Sequence, residues 1–238
     1  MDMNGKSVFI AGADGGIGQP LCQLFTQAGA KVFRGVMHES TMPLTVSIDV
    51  TNPASVASAV NITGPLDLVI NATGILRHPV NNPEEGILVA KDEFEVNCFG
   101  MLRLAHAFLP SLRQRANSRL INLLSVTAWV ALPSHAGYAA SKAAAWSYTN
   151  SLRLEFAQYG VGVTGVILGY TDTPMTQHIN GPKITPDVIA QAIFEGIKNE
   201  EDEILCDKRS QDVKSMLSDD LELIYRPLLN KTKQEAQY

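Results

Sequence analysis

The 238-residue sequence is short of the features that mark secreted, metal-bound, nucleic-acid-bound or membrane-spanning chains. Cysteine is scarce, and Cys22, Cys98 and Cys206 stand far apart. That scatter excludes a ligand cluster of metal-site spacing and a disulfide framework, and it suits a reducing compartment where the three serve as small buried hydrophobes. Basic residues form no stripe. With 19 Lys and Arg against 24 Asp and Glu, the formal net charge is -5, so neither a phosphate backbone nor an anionic membrane surface is the expected partner. No apolar run is long enough to span a bilayer, and Met1 to Lys6 lack the basic and apolar regions of a secretory leader. The expected location is the cytoplasm.

What is present is a 45% hydrophobic chain able to close one sizeable core, read as one domain over 1–238 with a polar tail, "LLNKTKQEAQY", loose from about residue 228. Apolar, β-branched runs recur at "SVFIAG" (7–12), "KVFRGV" (31–36), "LTVSIDV" (44–50), "LDLVINATG" (66–74), "RLINLLS" (119–125) and "VGVTGVILG" (161–169). These read as buried strands. Helical stretches lie between them at Ile17 to Ala28, Pro53 to Val60, Lys91 to Arg115 and Tyr138 to Tyr159. A last helix starts at Thr185 and Pro186, before a final strand at "DEILC". Such alternation predicts an α/β fold of right-handed crossovers: a doubly wound parallel sheet with helices on both faces, a three-layer α/β/α sandwich.

Two stretches carry chemistry. Gly12, Gly16 and Gly18 fall in "AGADGGIG", directly after the first strand and at the start of a helix. Glycine there lets the backbone approach a pyrophosphate, and the helix N-terminus offers unpaired N–H groups. A tight strand-to-helix turn uses glycine for steric reasons as well; the strand before and the helix after favour the dinucleotide reading. The second stretch is "GYAASKAAAW" (137–146), where Tyr138 and Lys142 stand four apart on one helical face. A free phenol has a pKa of about 10, and one unit charge about 4 Å away at an effective dielectric near 20 is worth ~4 kcal/mol, or roughly three pKa units before desolvation opposes it. The pair predicts a phenol brought close to neutral pH by its ammonium neighbour. An isolated Tyr-x-x-x-Lys would otherwise be a half-buried ring beside a solvated cation, but Ser125 ends the preceding strand and Asn97 lies in the long helix before it.

The motifs "GADGGIG", "NATG" (71–74), "EVNCFG" (95–100), "LLSV" (123–126), "YAASK" (138–142) and "LGYTDTPM" (168–175) occur in the order and spacing of the short-chain dehydrogenase/reductase family. The chain resembles the single-domain branch of that family over nearly its whole length, which implies a Rossmann-type fold and an NAD(P)-dependent oxidoreductase. By that resemblance Tyr138 is the general acid/base and Lys142 lowers its pKa and holds the nicotinamide ribose. Ser125 hydrogen-bonds the substrate oxygen, and Asn97 holds a water in a proton relay. Asn97 reads almost equally well as a polar, helix-distorting residue satisfied by backbone. The resemblance further assigns Gly12, Asp14, Gly16, Ile17 and Gly18 to the pyrophosphate turn, Asp49 and Val50 to the adenine, and Asn71, Ala72 and Gly74 to the loop after the fourth strand. Gly169, Thr171 and Thr173 fall to the nicotinamide end. Asp49 is alternatively a cap for the helix near Pro53.

Several positions depart from the family pattern: Ala11 for Thr, Ala72 for an amide, Leu168 for Pro, and Thr171 for Val or Ile. These bear on cofactor affinity more than on chemistry. The position that carries an acid in NAD-preferring members is Val36, while Met37 and Gly15 occupy the positions where NADP-preferring members place a base. The absent acid, with Arg34 and His38 near and Glu39 beyond, tilts the choice between NADP and NAD toward NADP. The expected substrate is a small molecule, a secondary alcohol or ketone or a related apolar carbonyl compound. Its pocket is expected from "ILRHPV", "VTAWVALPSHAG" and "YTDTPMTQHINGPK", with Ile75, Trp129, Leu132, Met175 and Ile179 as an apolar wall and the last loop as a lid. The resemblance also implies a homodimer or homotetramer. Two other readings of the same motifs are a catalytically silent NAD(P)-binding regulator and an epimerase or dehydratase of the extended branch.

Overall fold

The computed structural model describes residues 1–38, 41–77, 82–132 and 135–235. Seven strands form one sheet: β1 (Ser7–Ala11), β2 (Lys31–Val36), β3 (Thr45–Ser47), β4 (Leu68–Asn71), β5 (Arg119–Leu123), β6 (Gly162–Ile167) and β7 (Glu203–Leu205). Their spatial order is β3-β2-β1-β4-β5-β6-β7, and every pairing is parallel. Both faces of a parallel sheet are covered by crossover helices, which is why the strands are apolar at consecutive rather than alternate positions. Within β1, Val8 and Ile10 turn to one side and Phe9 and Ala11 to the other, and all four are buried.

On the first face Val8 and Ile10 pack with Leu21 and Phe25 of α1 (Gly18–Gln27) and Ile193 and Phe194 of α6 (Pro186–Lys198), where the Phe25 and Phe194 rings meet edge-on at 5.0 Å. On the second, Phe9 stacks on Phe108 of α4 (Met101–Leu112) at 4.7 Å, with α2 (Pro53–Thr63) and α5 (Ala136–Ala157) completing the layer. The doubly wound α/β architecture expected from the sequence is the architecture observed. All three cysteines are buried and free, and burial pushes their thiol pKa values up, as small core hydrophobes require.

Two elements differ from expectation. The long helix read from Lys91 begins earlier, as α3 (Pro83–Phe94), because the Asn82 side chain accepts from Glu84 N and Pro83 fixes the first turn. It then passes through a π-helical stretch, Glu95–Gly100, into α4. The third strand is shorter than its apolar run: Ile48 and Val50 are buried, but a turn at Asp49 ends the extended chain. Beyond α7 (Lys208–Met216), α8 (Leu221–Glu235) continues into the region expected to be loose and leaves Leu221, Leu223 and Leu229 exposed. Among the described residues no helix is long and apolar enough to cross a membrane.

Candidate active site

The order reverses at β1, which pairs with β2 on one side and β4 on the other, so a crevice opens at the carboxyl ends of β1 and β4. The glycine turn fills it. Gly12 has φ +78°, and a Cβ on it would lie 2.9 Å from Ala72 O, so the two loops touch backbone to backbone. A Cβ on Gly18 would lie 2.0 Å from Gly12 O, and one on Gly16 2.5 Å from Thr173 Cγ2. Ile17, at the N-cap of α1, makes no side-chain cap; in the first turn Gln19 N donates to Gly15 O at 3.1 Å and Pro20 has no N–H. Thr173 caps the short 3₁₀ turn Pro174–Thr176 and lies over Gly16, which brings the loop after β6 across the turn. This cradle, closed to any Cβ and set at the N-terminus of α1, fits a dinucleotide pyrophosphate.

The other sequence-derived cofactor positions have local duties as well. Asn71 accepts from Thr73 N at 3.2 Å and from Thr73 Oγ1 at 2.6 Å, fixing the loop that carries Ala72 and Gly74. Asp49 accepts from Thr51 N and Thr51 Oγ1, at 2.8 and 2.7 Å. It therefore caps its own turn, and the cap of α2 is Asn52. Val50 is buried against Gly100, and its carbonyl accepts from Arg103. Beyond β2, Asp14, Arg34, Val36 and His38 line a separate cleft of ≈390 Å³; Glu39 lies outside the described residues.

The proton-transfer set assembles at the ends of β5 and β6. Ser125, Tyr138, Gly169, Thr171 and Thr173 share the wall of one cavity with Leu76, Tyr170 and Met175. Thr127 donates to Ser125 Oγ from its N at 3.2 Å and its Oγ1 at 2.9 Å, which leaves the Ser125 hydrogen free to point at the phenol or at a substrate oxygen. Lys142 is buried and donates to Leu123 O at 3.1 Å. Gly74 makes room for it: a Cβ there would stand 3.4 Å from Lys142 Nζ and 3.3 Å from Asn97 Oδ1. Asn97 sits in the π-helical stretch, accepts from Ile75 N at 2.8 Å, and donates to Ile75 O at 2.9 Å and Ser141 Oγ at 3.0 Å. The helix is distorted around Asn97 and its amide is satisfied by the Ile75 backbone and Ser141, which is the polar, helix-distorting reading. Thr171 Oγ1 is buried without a hydrogen-bond partner.

The electrostatics correct one expectation. Burial pushes the Tyr138 phenol up to about 12; the Ser125 hydrogen bond opposes this, while Glu93 and Tyr170 add to it. Lys142 does not offset the burial, because its Nζ is turned to Leu123 O and lies 5.9 Å from the Tyr138 ring centroid. Burial pulls the lysine itself down to about 8. The same desolvation drives the two groups in opposite directions, since it disfavours the charged form of each.

Two residues of the site were not anticipated. Asp207, the N-cap of α7, is buried; its Oδ2 accepts from Gly169 N at 2.6 Å and its Oδ1 from Ser210 N at 2.6 Å. The "DKRS" pattern at its own position signals the cap, whereas the link to Gly169 has no sequence signal. Glu93 is 3% exposed, accepts from Arg77 N at 3.0 Å, and lies so close to α5 that a Cβ on Gly137 would stand 2.6 Å from its Oε2. The expected apolar wall divides. Met175 lines the cavity, Leu132 and Ile179 line a neighbouring cleft, and Trp129 packs against Trp146 instead. His78, Pro79, Val80, Pro133 and Ser134 of the expected pocket loops lie outside the described residues.

Known proteins resemble this chain in sequence and fold. The family model described as short chain dehydrogenase matches residues 6–183. The 3-oxoacyl-(acyl-carrier-protein) reductase of Vibrio cholerae is 30% identical over 204 residues, covering 78% of this chain and 81% of its own. A short chain dehydrogenase from Burkholderia cenocepacia, solved in complex with NADP, superposes with a TM-score of 0.89 at 33% identity, over 96% of this chain and 99% of that one. A second, from Burkholderia phymatum in complex with NAD, has the same fold at 20% identity, with a TM-score of 0.82 over 94% and 96% of the two chains. The chain belongs to the short chain dehydrogenase/reductase family of NAD(P)-dependent oxidoreductases.

Proposed function

We propose that this chain is one catalytic domain that interconverts a ketone and a secondary alcohol with NADP, Tyr138 being its general acid/base and Ser125 the hydrogen-bond donor to the substrate oxygen. The observation that carries the reading is the pairing of Ser125 and Tyr138 on one cavity wall with the loop that lies over the glycine turn. Nicotinamide, when bound, supplies or accepts the hydride. Gly12, Gly16 and Gly18 admit its pyrophosphate, and Thr173 closes over that turn. Asn71, through Thr73, sets the loop on which Ala72 and Gly74 sit.

A phenol held near 12 is fully protonated at neutral pH, which suits proton donation to a carbonyl oxygen as it gains charge. Ser125 stabilises the same oxygen with its free hydrogen. Lys142, an ammonium at pH 7, holds positive charge behind the phenol and is kept in place by Leu123 O, with Gly74 leaving room for it. The favoured direction is reduction. NADP is favoured over NAD because the cleft beyond β2 carries Arg34 and His38 where Val36 supplies no acid. The relative from Burkholderia cenocepacia that binds NADP supports the same choice. A homodimer or homotetramer is favoured by the exposed Phe99, Tyr148 and Leu154 on the faces of the π-helical stretch and α5.

The test follows NADPH absorbance with purified protein and a panel of ketones. Turnover by wild type is expected, with a lower KM for NADPH than for NADH. Tyr138→Phe should cut kcat by at least ~10²-fold while leaving NADPH binding in place. Firm NADPH binding without turnover of any ketone or aldehyde would instead favour the silent regulator.

A further inference from the structure

Next to the catalytic cavity lies a larger cleft of ≈590 Å³, and Gly169 and Tyr170 form part of both walls. Two cations, Lys183 and Arg209, line it together with one carboxylate, Asp207, although the chain as a whole is acidic. Among the described residues no carboxylate forms an ion pair with Arg209. Asp207, in the same wall, points its oxygens at Gly169 N and Ser210 N rather than at the guanidinium, which leaves two cations to one carboxylate in the cleft lining. Lys183 pairs with Asp172 at 3.7 Å, and that aspartate is 66% exposed, so the pair is a weak one that an incoming carboxylate can compete with.

Arg209 is also held in place. A Cβ on Gly169 would stand 3.3 Å from Arg209 Cδ, so the arginine stem lies against the glycine, and its guanidinium sits 5.7 Å over the Tyr170 ring. A cation anchored on an aromatic face loses little side-chain freedom when it binds, and a guanidinium fork matches a carboxylate. The ring that carries it forms a wall of the cavity holding Ser125 and Tyr138.

We propose that this cleft is a carboxylate subsite, so that the substrate is an oxo acid or hydroxy acid whose reacting oxygen meets Ser125 and Tyr138 while its carboxylate binds Arg209. Lys183 adds a second positive charge at the rim. The inference rests on the proposed function and narrows its substrate class. Met175 and Leu76 flank the carbon chain at the reacting end, and the cations take the far end.

The experiment uses the purified protein with NADPH and six-carbon oxo acids bearing the ketone at successive positions, each paired with its methyl ester. At least one acid should exceed its ester in kcat/KM by about tenfold or more, an advantage that shrinks as salt is raised. Arg209→Gln should raise KM for that acid about tenfold and leave the ester unchanged, and Arg209→Lys should restore part of the loss. Turnover of esters and neutral ketones with no preference for any acid would overturn the subsite and leave the proposed function standing. Equal losses for acid and ester in Arg209→Gln would overturn it too. If nothing is turned over, the proposed function fails, and ligand-observed NMR of the same acids decides the subsite. Binding that Arg209→Gln abolishes supports it, and absent or Arg209-independent binding overturns it.

Discussion

The nucleotide side and the substrate side of the crevice are built by opposite means. Around β1 and β4 the site exists because side chains are missing: Gly12, Gly16 and Gly18 leave no room for a Cβ, and backbone meets backbone. Around β5 and β6 it exists because buried polar side chains reach across the fold: Lys142 to Leu123, Asn97 to Ile75, and Asp207 to Gly169. The first is a matter of steric room, local at Gly18 and set by the Ala72 and Thr173 loops at Gly12 and Gly16, whereas the second depends on buried hydrogen bonds between strands and helices arriving together. Damage to the first should therefore be local to nucleotide binding, and damage to the second should spread into stability.

The largest expected effect tests the first half of that contrast. In Gly18→Ala the new Cβ would stand 2.0 Å from Gly12 O and 2.9 Å from Ala13 Cα, both backbone atoms that cannot swing aside. The turn must open. NADPH affinity, read by fluorescence titration, should fall by ~100-fold or more, about 3 kcal/mol. A fall under threefold would mean that the cradle is not the nucleotide site.

The next variant breaks the second half. Asp207→Ala leaves Gly169 N–H and Ser210 N–H without their acceptor, each at about 1–3 kcal/mol when buried. The urea midpoint should drop by an amount corresponding to ~2–4 kcal/mol, with a smaller loss of NADPH affinity than in Gly18→Ala. The reverse order of the two affinity losses would contradict the division of labour.

The same division explains what the sequence made legible. Strands β1, β2, β5 and β6 are readable as apolar runs because a parallel sheet buries both faces, and the glycine turn is readable because its glycines cluster between a strand and a helix, although Ala72 and Thr173, which close on it, are distant in sequence. The apolar run through Ile48 and Val50 overstated β3, because apolarity reports burial and not extended pairing. The start of α3 carries its own signal, Asn82 before Pro83, ahead of the Lys91 at which the apolar pattern begins. Spacing placed Tyr138 and Lys142 on one face correctly. It could not give their electrostatics, since the acceptor that turns Lys142 away is Leu123 O, nineteen positions earlier on another element. Asp207 and Glu93 escaped for the same reason: each acts on a segment distant in sequence.

The smallest expected effect is also the one whose sign is least intuitive. Burial pulls Lys142 from its ordinary 10.5 to about 8, so the native chain at pH 7 carries an ammonium in surroundings that disfavour it. Between about pH 8 and 10.5 the unfolded chain binds a proton at Lys142 that the native chain has already released, so the contribution of Lys142 to stability should rise with pH across that window, while the buried cysteines and Tyr138, whose pKa values burial raises, pull the other way above about pH 9 in wild type and variant alike. Lys142→Met keeps much of the side-chain volume, removes the charge and gives up one hydrogen bond to Leu123 O, worth about 1 kcal/mol. The variant should lose turnover yet be more stable than wild type at pH 7 by about 1–2 kcal/mol. That gain, measured from urea midpoints, should shrink as the pH is raised from 8 toward 10.5. A variant less stable than wild type at pH 7 would mean that the ammonium is favourably paired in the fold, and that the substrate side, like the nucleotide side, is assembled without a standing cost in stability.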